Sequence, residues 1–157
     1  MMSAQIQPSL RRILAPIDGS DNSKRAAQLA IRLAKNNNAE LIVLSVISSP
    51  IYSGTVAPGP SAPYIDYNAY YEAAEKNASG WIDVIDEMAT KEGVKTTRDI
   101  VQNSTSTVES IVTSAEKQKV DLIVIGTRGL GGFKRLVLGS VSSGVVSHAH
   151  CNVLVVR

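Results

Sequence analysis

Short apolar runs alternate with segments whose apolar residues recur every three or four positions, and this alternation predicts the elements. Ile13-Leu14-Ala15-Pro16-Ile17, closed by the turn residues Asp18-Gly19-Ser20, reads as a buried strand. Ser20 or Ser23 opens a helix with Ala26, Ala30, Leu33 and Ala34 on one face, and Asn36-Asn37-Asn38 stops it. Glu40 to Ile47 is almost continuous aliphatic and β-branched sequence, the pattern of a strand covered on both faces. From Tyr67 a helical stripe of Ala74, Ala78, Trp81, Ile85 and Met88 runs to Glu92-Gly93. Lys95 to Val101 mixes β-branched residues with charges and reads as a polar edge strand. Ser106 and Glu109 form a capping-box pair before a short helix carrying Val108, Ile111, Val112 and Ala115. Asp121 to Gly126 is a further buried strand, Val141, Val145 and Ala149 mark a last helix, and Asn152 to Val156 a last strand.

The segment 48–66 interrupts this rhythm. It holds four of the six prolines with Gly54 and Gly59, and all five tyrosines fall between Tyr52 and Tyr71. An irregular loop of this length is uncommon in a compact domain and is functional or disordered where it occurs. Loop packing, a lid and a base-stacking platform all remain open for its tyrosines. The order β-α-β-loop-α-β-α-β-α-β predicts an α/β fold, a parallel sheet with helices on both faces and the first strand central. No internal repeat or linker is visible, so residues 11–157 are expected to form a single domain behind a flexible tail, 1–10. Ligands of such sheets bind beyond the carboxyl ends of the strands, where the winding direction reverses. Asp18-Gly19 after the first strand and Gly126-Thr127-Arg128-Gly129 after the fourth are the candidate ends.

Composition narrows the class. At 157 residues, 44% hydrophobic and 19% charged, the chain can bury a core without staples, and wholesale disorder is excluded. The lone Cys151 excludes an intramolecular disulfide framework and fits a reducing compartment. No apolar run reaches the length of a membrane span, and the start lacks a signal peptide's apolar core, so a cytoplasmic location is expected. A net charge of +2 argues against nucleic-acid or membrane partners. That figure conceals an asymmetry. Residues 1–121 carry twelve basic against fourteen acidic side chains, whereas 122–157 carry Arg128, Lys134, Arg135 and Arg157 with no carboxylate. Six of the eleven glycines lie in that same basic stretch.

Gly126-x-x-Gly129, nine residues, then Gly139-Ser140 is the sharpest pattern in the chain. Anion binding needs converging backbone N–H groups, which glycines at a strand exit permit and a helix amino end supplies. The hydroxyls of Ser140 and Ser142 are further candidate donors. Taken alone, the same residues also describe a glycine-rich surface loop and an ordinary helix start. A P-loop is absent, Gly129-Leu130-Gly131-Gly132 fails the dinucleotide fingerprint, and Gly139 to Gly144 is not a nucleophile elbow.

This pattern resembles the ATP-binding signature of the universal stress protein family. The similarity extends over Ile-Leu-Ala-Pro-Ile-Asp-Gly-Ser at the first strand, Leu-Ser-Val at the second, Asp-Leu-Ile-Val-Ile-Gly at the fourth and Val-Leu-Val-Val at the end. The resemblance implies an open five-stranded parallel sheet of order 3-2-1-4-5, with Asp18 and Gly126 neighbours at the switch point. It implies ATP as ligand, with or without Mg²⁺ on the phosphates. Pro16 and Val46 would border adenine, Asp18 the ribose, and Gly126, Arg128 and Gly129 would follow ribose and phosphates. Gly139, Ser140, Val141 and Ser142 would hold the phosphates. It also implies a nucleotide-dependent stress-response regulator, homodimeric through the last strand, Val153 to Val156. One departure is Asn152, where relatives often carry proline.

Other readings stand beside this one. Asp18 also suits a turn or helix cap, and Lys134 and Arg135 a solvated basic loop. His148, His150 and Cys151 are metal-ligand types at a spacing poor for one site, so no metal is assigned. No general base or activated nucleophile stands out, so no catalytic residue is assigned and a binder is favoured over a fast enzyme. A slow ATP hydrolase or autophosphorylating protein and a nucleotide-free interaction module are the alternatives.

Overall fold

The computed structural model describes residues 9–51, 53, 59–60, 64–128 and 138–157. Five strands and four helices alternate: β1 (Arg12–Pro16), α1 (Asp21–Asn37), β2 (Glu40–Ser48), α2 (Tyr67–Lys91), β3 (Thr96–Ser104), α3 (Thr107–Lys117), β4 (Leu122–Gly126), α4 (Ser140–His148) and β5 (Asn152–Val156). All the strands are parallel, in the order β3-β2-β1-β4-β5. The predicted sheet is therefore the observed one, with β1 at its centre.

Alternation along β1 divides the core. Ile13 and Ala15 face α1 and α2, where Ala26, Ala27, Ala30, Ala34, Ile82, Ile85 and Ala89 pack on them. Leu14 faces the other layer, with Ile42, Leu44, Ile111, Ala115, Ile123 and Val145. The small residues of α1 let it lie close over β1 and β4.

Three helices start on side-chain oxygens: Ser20 accepts from Ser23 N, Asp66 from Ala69 N and Ser106 from Glu109 N. The capping box expected at Ser106 and Glu109 is half-formed, because Ser106 N donates to Ser104 Oγ at 3.2 Å instead of to Glu109.

Several boundaries and faces differ from expectation. The buried face of α2 runs through Ala78, Ile82, Ile85 and Ala89, leaving Trp81 and Met88 half-buried at its margin. A rotation of one residue follows from packing against the sheet, which selects Ile82 over the larger Trp81. β3 extends three residues past Val101, and β2 includes Ser48, the first residue of the expected loop. Leu10, placed in the tail, packs against the core, and Arg11 N and Arg12 N both donate to Asp121 Oδ2, at 2.8 and 2.9 Å.

The pairing of β1 with β4 is short. It runs through Ile13–Leu122 and Leu14–Ile123 and goes no further. Asp121 N donates to Arg12 O at 2.9 Å, so the even-numbered residues of β1 address β4. The next nitrogen on that side after Leu14 belongs to Pro16, which carries no hydrogen. The ladder therefore stops where the strand ends approach the switch point.

Candidate functional site

The carboxyl end of β1 runs into a turn built from its own polar side chains. Asp18 Oδ1 accepts from Ser20 N at 3.0 Å and from Ser20 Oγ at 2.6 Å. Ser20 Oγ in turn accepts from Ser23 N at 3.1 Å, while Ser23 Oγ donates to Ser20 O at 2.9 Å. Asp18 is thus the turn residue that the alternative reading described, and its carboxylate sits half-buried at the crevice end of the sheet. Gly19 adopts φ +81°, a conformation costly for other residues.

On the neighbouring strand, Gly126 packs against the first turn of α1. A Cβ there would lie 2.9 Å from the backbone C and O of Asn22. Thr127 follows, buried, its N–H donating to Val156 O at 2.8 Å. Its carbonyl accepts from Gly139 N at 2.7 Å and from Ser142 Oγ at 2.9 Å. These two bonds fasten the amino end of α4 to the exit of β4. The Ser142 hydroxyl, expected as an anion donor, is therefore engaged with a main-chain carbonyl and buried. What Ser142 has to offer a ligand is its backbone N–H.

Gly139 is the N-cap of α4 and provides no side-chain cap, unlike Ser20, Asp66 and Ser106 at the other three described helices. The first intrahelical donor is Ser143 N, to Gly139 O at 2.9 Å. The N–H groups of Ser140, Val141 and Ser142 precede it and belong to the turn that a helix cannot satisfy internally. Such an end favours an anion.

A cavity of about 300 Å³ opens here, lined by Asn22, Thr127, Arg128 and Arg157. Among the described residues that line it, two are arginines, so the basic surplus of 122–157 is in part focused on one opening. A larger cavity of about 450 Å³ lies between β3 and α3, where Asp99 and Glu109 contribute carboxylates and Ser114 Oγ and Gln118 Nε2 both donate to Asp99 Oδ2. The two carboxylates outnumber Lys117, the lysine on the same lining, so its charge suits an anion poorly.

Val46 lies near the carboxyl end of β2, two residues past the last β1 partner, Leu44. Leu44 O accepts from Ile17 N at 2.8 Å, whereas Leu41 N donates in the opposite direction, to Lys95 O. Val46 shares the phase of Leu44, so its N–H and C=O address the segment after β1. Pro16 is buried at the end of β1, opposite Leu44. Gly129, Lys134 and Arg135 lie outside the described residues.

Asn22, Thr127 and Arg157 were missed as site residues. Arg157 belongs to the charge surplus of 122–157, but its place follows from the pairing of Gly126 with Val156, which puts the end of β5 beside Thr127. His148 Nδ1–H donates to Gly144 O at 2.8 Å, an ordinary helix-end contact. Among the described residues no group of three or more His, Cys, Asp or Glu is arranged to hold a metal ion. No helix among them is long and apolar enough to cross a membrane.

A parallel sheet of order 3-2-1-4-5, with a basic crevice and an uncapped helix end at its switch point, defines a doubly wound α/β protein suited to an anionic ligand. The chain belongs to the universal stress protein family, whose model matches residues 9–157. It is 35% identical to a universal stress protein of Methanocaldococcus jannaschii over 147 residues, 94% of this chain and 82% of that protein. The universal stress protein UspA from Lactobacillus plantarum superposes with a TM-score of 0.75 at 25% identity, covering 96% of this chain and 100% of that one. A universal stress protein solved in complex with cAMP is similar at 26% identity and a TM-score of 0.63, covering 95% and 98%.

Proposed function

We propose that this chain binds ATP at the β1–β4 switch point and acts as a nucleotide-dependent regulatory homodimer in the cytoplasm. The observation that carries the reading is the uncapped amino end of α4, held by the Thr127 carbonyl beside a cavity lined by Arg128 and Arg157. Three first-turn N–H groups and two guanidinium groups suit a polyphosphate better than a singly charged cyclic phosphate. In this reading Pro16 and Val46 flank adenine, with the Val46 main chain reading its edge. Asp18 accepts the ribose hydroxyls. Gly126, Arg128 and Gly129 follow the ribose and phosphates, and the backbone of Gly139, Ser140, Val141 and Ser142 receives the phosphates, with or without Mg²⁺. The second copy pairs through β5, an edge strand on which Leu154 is exposed.

The test is to denature the purified protein, identify any released nucleotide by mass spectrometry, and titrate the emptied protein with ATP and cAMP by calorimetry. Bound ATP, unchanged after incubation with Mg²⁺ and tighter than cAMP, supports the reading. Accumulating ADP or AMP replaces it with a hydrolase, and cAMP as the tighter ligand replaces the triphosphate. An empty protein that binds neither overturns it in favour of an interaction module.

A further inference from the structure

We infer that Trp81 is a positioning residue for the nucleotide turn, holding Asp18 in place through Gly19. This inference rests on the nucleotide reading above. Trp81 lies on α2, outside every segment assigned to the ligand. A Cβ at Gly19 would nevertheless fall 2.4 Å from Trp81 Cε2, 2.6 Å from Nε1 and 2.7 Å from Cζ2. The indole therefore lies directly against the glycine that follows Asp18, in space that any other residue would occupy.

The turn is consequently braced from two directions. Asp18, Ser20 and Ser23 tie it internally by hydrogen bonds, while the indole presses on Gly19 from α2. Gly19 meets two demands at once, φ +81° and a missing side chain. An aromatic plane against a backbone restricts the turn by contact rather than by hydrogen bonding.

The bracing element is itself anchored at the crevice end of the sheet. Tyr70 OH donates to Ser48 O at 3.0 Å, and Tyr71 OH donates to Asn103 Oδ1 at 2.8 Å. The two rings meet edge to face at 5.2 Å. The start of α2 is thus tied to the ends of β2 and β3, and Trp81, further along α2, carries that position to the turn after β1. Because the chain holds a single tryptophan, tryptophan emission reports on the surroundings of Trp81, the Gly19 contact among them.

The test compares Trp81→Leu and Trp81→Phe with the parent protein, each checked for folding by circular dichroism. Amide hydrogen exchange over residues 18–20 is read without ligand, and ATP affinity by calorimetry. Trp81→Leu is expected to speed exchange in the turn about tenfold while leaving residues 26–34 of α1 unchanged, and to weaken ATP about tenfold. Trp81→Phe, which keeps an aromatic plane, is expected to restore affinity to within about threefold. Titrating the parent with ATP should change its tryptophan emission. Unchanged exchange in Trp81→Leu overturns the inference whatever the ligand does. Faster exchange with unchanged affinity also overturns it, reducing the contact to packing. If the parent binds no nucleotide, the nucleotide reading and the positioning role fall together, whereas the exchange result still decides whether the brace exists.

Discussion

Gly139→Ala isolates the fastening of α4 to β4. Gly139 has φ −70° and ψ 162°, which any residue adopts, so no conformational reason requires glycine. Serine or aspartate would be the common choice at such an N-cap. The obstacle is the Thr127 carbonyl, 2.9 Å from where a Cβ would sit and already accepting from Gly139 N at 2.7 Å. An alanine must push that oxygen away or stretch the bond it holds. Losing one hydrogen bond costs about 0.5–1.5 kcal/mol, and over-packing about 1–3 kcal/mol. About 2 kcal/mol is a fair expectation for a contact that relaxes in part. In a chain of this length that lowers Tm by roughly 4–8 °C. Affinity for ATP should fall at the same time, by about tenfold or more, because the amides of Ser140 to Ser142 move with the helix end. Gly80→Ala is the control, since a Cβ there meets nothing within 4 Å inside α2. It should raise Tm by roughly 1–4 °C, the effect of about 0.5–1 kcal/mol of helix propensity. Thermal melts followed by circular dichroism and titration calorimetry read both variants. A Gly139→Ala protein that melts within about 1 °C of the parent and binds ATP equally would refute the argument.

Asp18→Ala removes the acceptor of two bonds from Ser20 and the proposed ribose partner. It should cost about 1 kcal/mol of stability and weaken ATP roughly 10–100-fold by calorimetry, and an unchanged affinity removes Asp18 from the site. Leu154→Lys places a charge on the exposed face of edge strand β5. It should halve the mass measured by light scattering, and a parent already monomeric at micromolar concentration would sink the dimer. Burial, reinforced by the nearby Asp121 carboxylate, raises the pKa of the Cys151 thiol. Less thiolate is then present near neutral pH, so iodoacetamide should label the folded protein more slowly than the unfolded one by mass spectrometry. The sign for stability follows: the folded thiol keeps its proton longer, so this contribution declines as pH rises through the unfolded thiol's range, about 8.5.

The elements were legible because each strand's apolar run and each helix's stripe coincide with a buried face. The cap at Ser20 and the stop at Asn38, which takes φ +52°, were readable for the same local reason. Trp81 was misjudged because period alone cannot separate neighbouring residues of similar hydrophobicity. Choosing between Trp81 and Ile82 takes the sheet beneath them. The site divides the same way. Asp18, Gly126 and Gly139 announce themselves by type and spacing. Arg157 and Asn22 enter through strand order and helix contact, which no local pattern encodes. The acceptor of the Ser142 hydroxyl, Thr127 O, lies fifteen residues away in sequence, which no local pattern reveals.

The short ladder between β1 and β4 has a consequence for how this fold accommodates change. At one end Asp121 holds Arg11 N and Arg12 N, and the register of the central strands is set there. At the other end Pro16 withholds the donor that would continue the pairing. Register and crevice are thus specified by different residues at opposite ends of the same two strands. In the nucleotide reading, substitutions around Thr127 and Arg128 would therefore alter ligand preference while leaving the alignment of the sheet's centre unchanged.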